Sequence, residues 1–201
     1  MQDSVRLSLN LKVQYRELII SVDHQFEDWQ EHEIAEALTE WVEASDSSVH
    51  FKILWNQPKP GLYKHFREPD SKTGIFIWLL DKTDEKHLDI ELMEYFHGIN
   101  GLYVPGEDKS ANILVFKQTP VIKFKSVILH EVGHLLGLEH FKHYGNIMSK
   151  EASSTCLTLK DTTQLCTYYN CIPKSQCPFC EIEVHSESYT FPELITEDFA
   201  K

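Results

Sequence analysis

Apolar and polar residues alternate from residue 5 to residue 22, which predicts one or two β-strands at the start of the chain. From Glu27 to Ala44 the apolar positions change to helical spacing, and no Gly or Pro interrupts them. Gly101–Pro105 is a candidate strand whose proline suits the edge of a sheet. Three further β-rich runs are separated by loops rich in Pro, Gly and Asp: Val49–Trp55, Gly74–Leu80 and Asn112–Phe116.

Two more helices are predicted in the second half of the chain. One runs from about Lys123 to Gly137, and the other begins where Thr158 and Asp161 form a capping box and extends through Tyr169. After Cys180 the chain is acidic and lacks periodicity, which predicts a mobile tail or a strap.

The chain has 201 residues and a formal net charge of −12, which fits one domain with a small appendage. The acidic balance argues against a nucleic-acid partner, because such surfaces are usually basic. The longest apolar run is far shorter than the roughly 20 residues of a membrane-spanning helix, so no membrane partner is expected. The first twenty residues show no secretory signal and the first 155 contain no cysteine, which favours a cytoplasmic location. Export by another route would leave the same pattern, and the oligomeric state stays open.

The most informative segment reads His-Glu-Val-Gly-His-Leu-Leu-Gly-Leu-Glu-His, from His130 to His140. At 100° per residue, His130 and His134 lie about 40° apart on one helix face, opposite an apolar stripe. Two neutral imidazoles at this spacing can bind one zinc ion (Zn²⁺). Glu131, beside them, is suited to take a proton from a metal-bound water.

The third histidine requires the helix to end. In a continuous helix His140 would lie about 240° around the axis from His134, on the wrong face. Gly137 tolerates the left-handed conformation that ends helices, so a turn there predicts His140 as a third ligand. Three protein ligands and one open position are typical of catalytic zinc sites. The five fixed His, Glu and Gly matches arise by chance in about one in ten thousand such sequences.

This segment resembles the extended zinc signature of the metzincin metalloproteases. That family also has a methionine-containing turn beneath the metal, and Met148 follows His140 at a suitable distance. The stretch from Leu157 to Tyr169 is similar to the closing helix of matrixin-like members. The resemblance implies an α+β zincin fold: a twisted, mostly parallel sheet with an antiparallel edge strand, a zinc helix, a Met-turn and a closing helix. We expect a catalytic domain over residues 1–170 and a cysteine-bearing segment with an acidic tail over residues 171–201.

The resemblance also implies peptide hydrolysis at a single catalytic zinc, with Glu131 as the general base. By analogy with the family, an extended peptide or protein substrate would pair with an edge strand, either Gly101–Pro105 or Asn112–Phe116. Residues Ser149–Thr155 would border the pocket just past the cleaved bond. The alternatives are an aminopeptidase or other restricted zinc hydrolase, and a catalytically silent zinc-binding module.

Archaemetzincins are similar in their cysteine-rich end, but two cysteines of their second zinc site correspond here to Phe141 and Asn146, so that site is not carried over. Lys150 stands where astacin-like members have a tyrosine ligand. All five cysteines lie in the last quarter of the chain. The spacing of four of them allows a second, structural zinc site, with disulfides or free thiols as alternatives: Cys166, Cys171, Cys177 and Cys180. The odd count leaves one cysteine over in any disulfide scheme, most simply Cys156.

Overall fold

The computed structural model describes residues 16–59, 74–81, 100–106, 110–142, 144–150 and 154–177. Within these ranges the chain forms five strands and three α-helices. The strands are β1 (Arg16–Asp23), β2 (Val49–Gln57), β3 (Ile75–Leu80), β4 (Gly101–Pro105) and β5 (Ala111–Phe116). The helices are α1 (Asp28–Ala44), α2 (Val121–Leu135) and α3 (Leu159–Tyr169).

The strands form one sheet in the order β2-β1-β3-β5-β4. β1 pairs in parallel with β2 and β3, β3 pairs in parallel with β5, and β4 pairs antiparallel with β5. The prediction of a mostly parallel sheet with an antiparallel edge strand is confirmed. Of the two edge candidates, Asn112–Phe116 is wrong, because β5 is paired on both sides, and β4 forms the edge of the described sheet.

The central strands β3 and β5 are buried at every position, as their largely apolar sequences predict. One face of the sheet packs on α1 and α2 in the main core. The indole of Trp41 on α1 is fully buried there and donates a hydrogen bond to the Leu129 carbonyl of α2, at 3.1 Å. The opposite face carries a second apolar cluster, formed by Phe76, Trp78, Leu80, Leu114 and Phe116. The zinc-signature helix therefore lies on one face of a sheet that carries a buried apolar cluster on each face.

The cysteines form disulfides, so the prediction of a second zinc on Cys166, Cys171, Cys177 and Cys180 is corrected. Cys166 is bonded to Cys171, and Cys156 is bonded to Cys177. A disulfide sulfur is no longer the thiolate that zinc requires. Cys156, expected to be the unpaired cysteine, is paired, and Cys180 lies outside the described residues.

These bonds attach the end of the described chain to the domain. The Cys156–Cys177 bond spans 21 residues, and beside it the Gln176 amide donates to the Leu157 carbonyl, at 2.9 Å. Closing a loop of this length stabilises a fold by about 3 kcal/mol when the unfolded chain is constrained. The sulfurs of Cys166 and Cys171 lie 3.8 and 3.7 Å from the Ala44 carbonyl at the end of α1. The boundary predicted at residue 170 stays a prediction.

Thiol titration checks the pairing. With four of the five cysteines in two disulfides, the denatured, unreduced chain should show 5 − 4 = 1 reactive thiol. After reduction it should show all five. The same count after chelator treatment is the control, because thiols released by a chelator come from a metal site. Four or five thiols without reductant would contradict the disulfide pairing.

The strand predicted before residue 16 and the acidic tail lie outside the described residues. No helix in the part of the chain that the structure describes is both long and apolar enough to cross a bilayer.

Candidate metal centre

His130 and His134 project from α2 one turn apart, as their spacing predicts. The helix buries an apolar stripe, including Ile128, Leu129 and Val132, against the sheet and α1. This fixes the rotation of the helix about its axis, and the two imidazoles lie together on one side. His130 is buried and His134 is half-buried.

A left-handed turn brings the third histidine back. Helix α2 ends at Leu135, and Gly137 follows with φ +91°, a conformation that favours glycine. The Leu138 amide donates to the Gly133 carbonyl at 2.9 Å, and the Gly137 amide donates to the His134 carbonyl at 3.0 Å. This is the hydrogen-bond pattern of a Schellman motif, which reverses the chain direction. Gly137 is therefore located where the sequence predicts the helix break.

The three imidazoles converge, and each points its Nε2 atom towards the other two rings. The Nε2 atoms of His130, His134 and His140 lie 3.1 Å apart in all three pairings. Three nitrogens bound tetrahedrally to zinc at about 2.0–2.1 Å are separated by roughly 3.3 Å. His140 is exposed, so the site opens to solvent on its side. The triad has the dimensions of a three-histidine zinc site with one open position.

Backbone carbonyls set the tautomers of two of the three histidines. The Nδ1 of His130 lies 2.7 Å from the Ile147 carbonyl, and the Nδ1 of His134 lies 2.9 Å from the Leu138 carbonyl. A carbonyl only accepts, so each Nδ1 carries the proton and each Nε2 carries a lone pair. Lone pairs facing each other at 3.1 Å repel, and a cation between them removes this repulsion. The donor set therefore fits a zinc ion.

The histidines are held in the neutral form that binds metals. Burial is the largest cause of a lowered pKa at all three. Burial and the neighbouring His130 ring together lower the pKa of His134 to about 4. A proton therefore does not compete for these nitrogens at neutral pH.

Glu131 lies beside the triad and is buried. Burial raises the pKa of its carboxyl to about 8, while a hydrogen bond from the Tyr103 backbone amide of β4 lowers it. A cation held by the neighbouring histidines favours the ionised form. The arrangement gives a carboxyl group whose affinity for a proton depends strongly on the charge beside it.

Met148 is fully buried below α2, in the turn that the sequence predicts. A Cβ added at Gly133 would collide with its Sδ, so the turn approaches the helix where the helix has no side chain. The buried Asp161 carboxylate of α3 accepts from the amides of Ile147 and Met148, at 3.1 and 3.0 Å. The carbonyl of Ile147 is the one that accepts from His130.

Two residues that contact the site were not identified from the sequence. Tyr103 contacts both Glu131 and His134, but nothing in the sequence of β4 indicates which helix residues it faces. Asp161 was predicted only as a helix-capping residue, and its contacts with the Met-turn lie 13 and 14 residues away along the chain. Residues 151–153 of the predicted pocket wall lie outside the described residues.

A family model of the matrixins matches residues 12–169. Among solved structures, the chain is similar to metalloproteinase-II from Bacteroides fragilis, with 16% identity and a TM-score of 0.45 over 77% of this chain and 53% of that chain. It is also similar to archaemetzincin from Methanopyrus kandleri, with 16% identity and a TM-score of 0.43 over 77% and 95%. The chain spans about half the length of the Bacteroides protein. A search of curated proteins gives no match. Because the matrixin model covers most of the sequence, the chain belongs to the matrixin family of metzincin zinc metallopeptidases.

Proposed function

We propose that this protein is a zinc-dependent endopeptidase with Glu131 as its general base. The observation that carries the proposal is the convergence of three Nε2 atoms, 3.1 Å apart, beside a buried carboxyl group. Two of these nitrogens hold their lone pairs because Nδ1 donates to a backbone carbonyl. His130, His134 and His140 would hold the metal.

When bound, zinc lowers the pKa of its water towards ~7 and polarises the carbonyl of the scissile bond. Glu131 accepts the proton from the attacking water and returns it to the leaving amine. The Tyr103 amide holds the carboxylate by donating a hydrogen bond to it. The carbonyls of Ile147 and Leu138 keep two imidazoles aimed at the centre.

The substrate we propose is an extended peptide or protein segment. Strand β4 is at the edge of the described sheet and contacts Glu131 through Gly101 and Tyr103. A substrate strand that paired with this edge would pass next to the centre. We propose no nucleic-acid or membrane partner.

Our proposal for the location in the cell is based on the disulfides formed by the cysteines. The sequence favours the cytoplasm, where thiols are kept reduced. Two disulfides among residues 156–177 favour an oxidising compartment instead, and we propose that the protein functions in one.

Metal content per chain tests the centre directly. We expect one zinc in the wild type and none in His134→Ala, because two histidines bind zinc far more weakly than three. His32→Ala is the matched control, since the His32 side chain is 71% exposed on α1 and pairs with Glu36 rather than with the histidine triad. It should keep one zinc. A wild-type zinc that survives His134→Ala would contradict the proposed centre.

Cleavage of internally quenched peptides with both ends blocked separates the proposed function from its alternatives. Endopeptidase activity that a chelator removes and zinc restores supports the proposal. Cleavage of peptides with a free amino terminus only would indicate an aminopeptidase. Zinc binding without any hydrolysis would indicate a silent binding module, although Glu131 has no evident role in such a module.

A further inference from the structure

Tyr103 of β4 lies over the face of a proposed metal ligand. Its ring centroid is 6.2 Å from that of His134, and the two ring planes meet at 27°. Aromatic rings attract each other in offset-stacked arrangements at centroid distances of about 4.5–7 Å. The phenol ring is half-buried, so this contact is partly shielded from solvent.

The alternation of β4 explains why this residue faces the helix. Leu102 and Val104 pack on the second apolar cluster, on the far side of the sheet. Tyr103 packs on the main core, which includes α2. Successive side chains of a strand point to opposite faces, so Gly101 shares the face of Tyr103.

Gly101 lets the strand approach the helix closely. A Cβ at this position would lie 2.5 Å from Val127 Cγ1 and 3.1 Å from the Glu131 carboxylate. The strand therefore contributes no side chain here, and the Val127 and Glu131 side chains of α2 pack directly against its backbone. Two residues further along, the Tyr103 ring reaches His134, and the Tyr103 amide donates to Glu131.

Within the part of the chain that the structure describes, the other contacts of the His134 ring are with a backbone carbonyl and with the two neighbouring imidazoles. Its Nδ1 donates to the Leu138 carbonyl, and the rings of His130 and His140 meet it at 86° and 77°. None of these contacts is a stacking contact on its face. The phenol ring supplies one and opposes rotation of the imidazole about its χ2 angle.

We propose that Tyr103 is a positioning residue, whose ring holds the His134 imidazole with Nε2 aimed at the metal. This inference rests on the proposed metal centre, and it assigns the phenol hydroxyl no part in the chemistry. Partners that orient metal ligands typically change metal affinity or activity by 10–100-fold when they are removed.

The test compares Tyr103→Phe, Tyr103→Leu and Tyr103→Ala in the zinc-loaded full chain. The rate of zinc release to a chromogenic chelator is measured together with kcat and KM on a blocked peptide. We expect Tyr103→Phe to match the wild type within twofold. We expect Tyr103→Ala to release zinc about 10-fold faster, with a similar loss in kcat and little change in KM. Tyr103→Leu, whose side chain fills space without a ring, should fall between them.

Tyr168→Ala is the matched control, because Tyr168 is 47% exposed on α3. It should behave as the wild type. The visible spectrum of the Co²⁺-substituted protein gives a second readout, because it reports ligand geometry. It should change in Tyr103→Leu and Tyr103→Ala but not in Tyr103→Phe. If Tyr103→Ala does not fold, the comparison of Tyr103→Phe with Tyr103→Leu still tests whether the ring orients His134.

Two outcomes would overturn the inference. Zinc release and cobalt spectra that are the same in Tyr103→Leu as in Tyr103→Phe would mean that the ring does not orient His134. If Tyr103→Phe is as impaired as Tyr103→Ala, the role belongs to the hydroxyl. Failure of the proposed function is distinguishable, because a wild type that binds zinc but cuts no peptide still allows the zinc-release comparison.

Discussion

Replacing Glu131 with Gln is expected to reduce peptide hydrolysis by about 10²–10⁴-fold while the chain keeps one zinc. The amide has nearly the same shape as the carboxyl but cannot accept the proton of the attacking water. The metal is retained because the three proposed ligands are untouched and their Nδ1 contacts lie elsewhere. Folding is not expected to suffer, since glutamine has nearly the same volume and keeps an acceptor oxygen for the Tyr103 amide.

The measurement is kcat/KM on a blocked peptide together with zinc content. Glu139→Gln is the matched control, because Glu139 lies in the same signature but is exposed. It should retain wild-type activity. Hydrolysis that survives in Glu131→Gln at full zinc occupancy would exclude Glu131 as the general base, and loss of zinc would mean that the carboxyl helps to hold the metal.

Asp161→Ala is expected to lower the free energy of unfolding by about 3–4 kcal/mol and to weaken zinc binding about 10–100-fold. The carboxylate is fully buried and accepts from the Ile147 and Met148 amides and from the Thr158 amide and hydroxyl. Alanine leaves these donors without their acceptor in a site that water does not reach. The metal centre is affected because the Ile147 carbonyl orients His130.

Denaturant unfolding and zinc content measure the two effects. Asp161→Asn should lose less stability, since its amide keeps one acceptor oxygen. Asp28→Ala is the matched control, because Asp28 is also in the first turn of a helix but is exposed. It should cost well under 1 kcal/mol. If Asp161→Ala loses stability but binds zinc as tightly as the wild type, then Asp161 supports the fold without supporting the centre.

Local patterns predicted most of the elements because each element has its own period. The continuous apolar runs of β3 and β5 and the helical spacing in α1 and α2 need no distant partner to be recognised. The observed boundaries differ from the predicted ones by a few residues; α2, for example, begins at Val121 rather than at about Lys123. The sequence left two candidates for the edge strand, since apolar content does not indicate which neighbour a strand pairs with; Pro105 was the one residue that favoured β4.

The pairing of the cysteines, by contrast, could not be predicted from local patterns. Cys-x-x-Cys spacing suits zinc, and a sequence does not determine which sulfurs meet. The fold does so by bringing Cys156, before α3, next to Cys177, after it, and by turning the chain so that Cys166 reaches Cys171. The pairing therefore depends on the path of the backbone around α3.

By itself, the sequence determined the helix that carries His130 and His134, the break at Gly137 and the return of His140, because all three follow from 3.6 residues per turn and the φ preference of glycine. Only the tertiary structure decided that Tyr103 stacks on His134 and that Asp161 holds the Met-turn. Those contacts join elements far apart in the chain. Their partners are selected by packing, which leaves no periodic signal in the sequence.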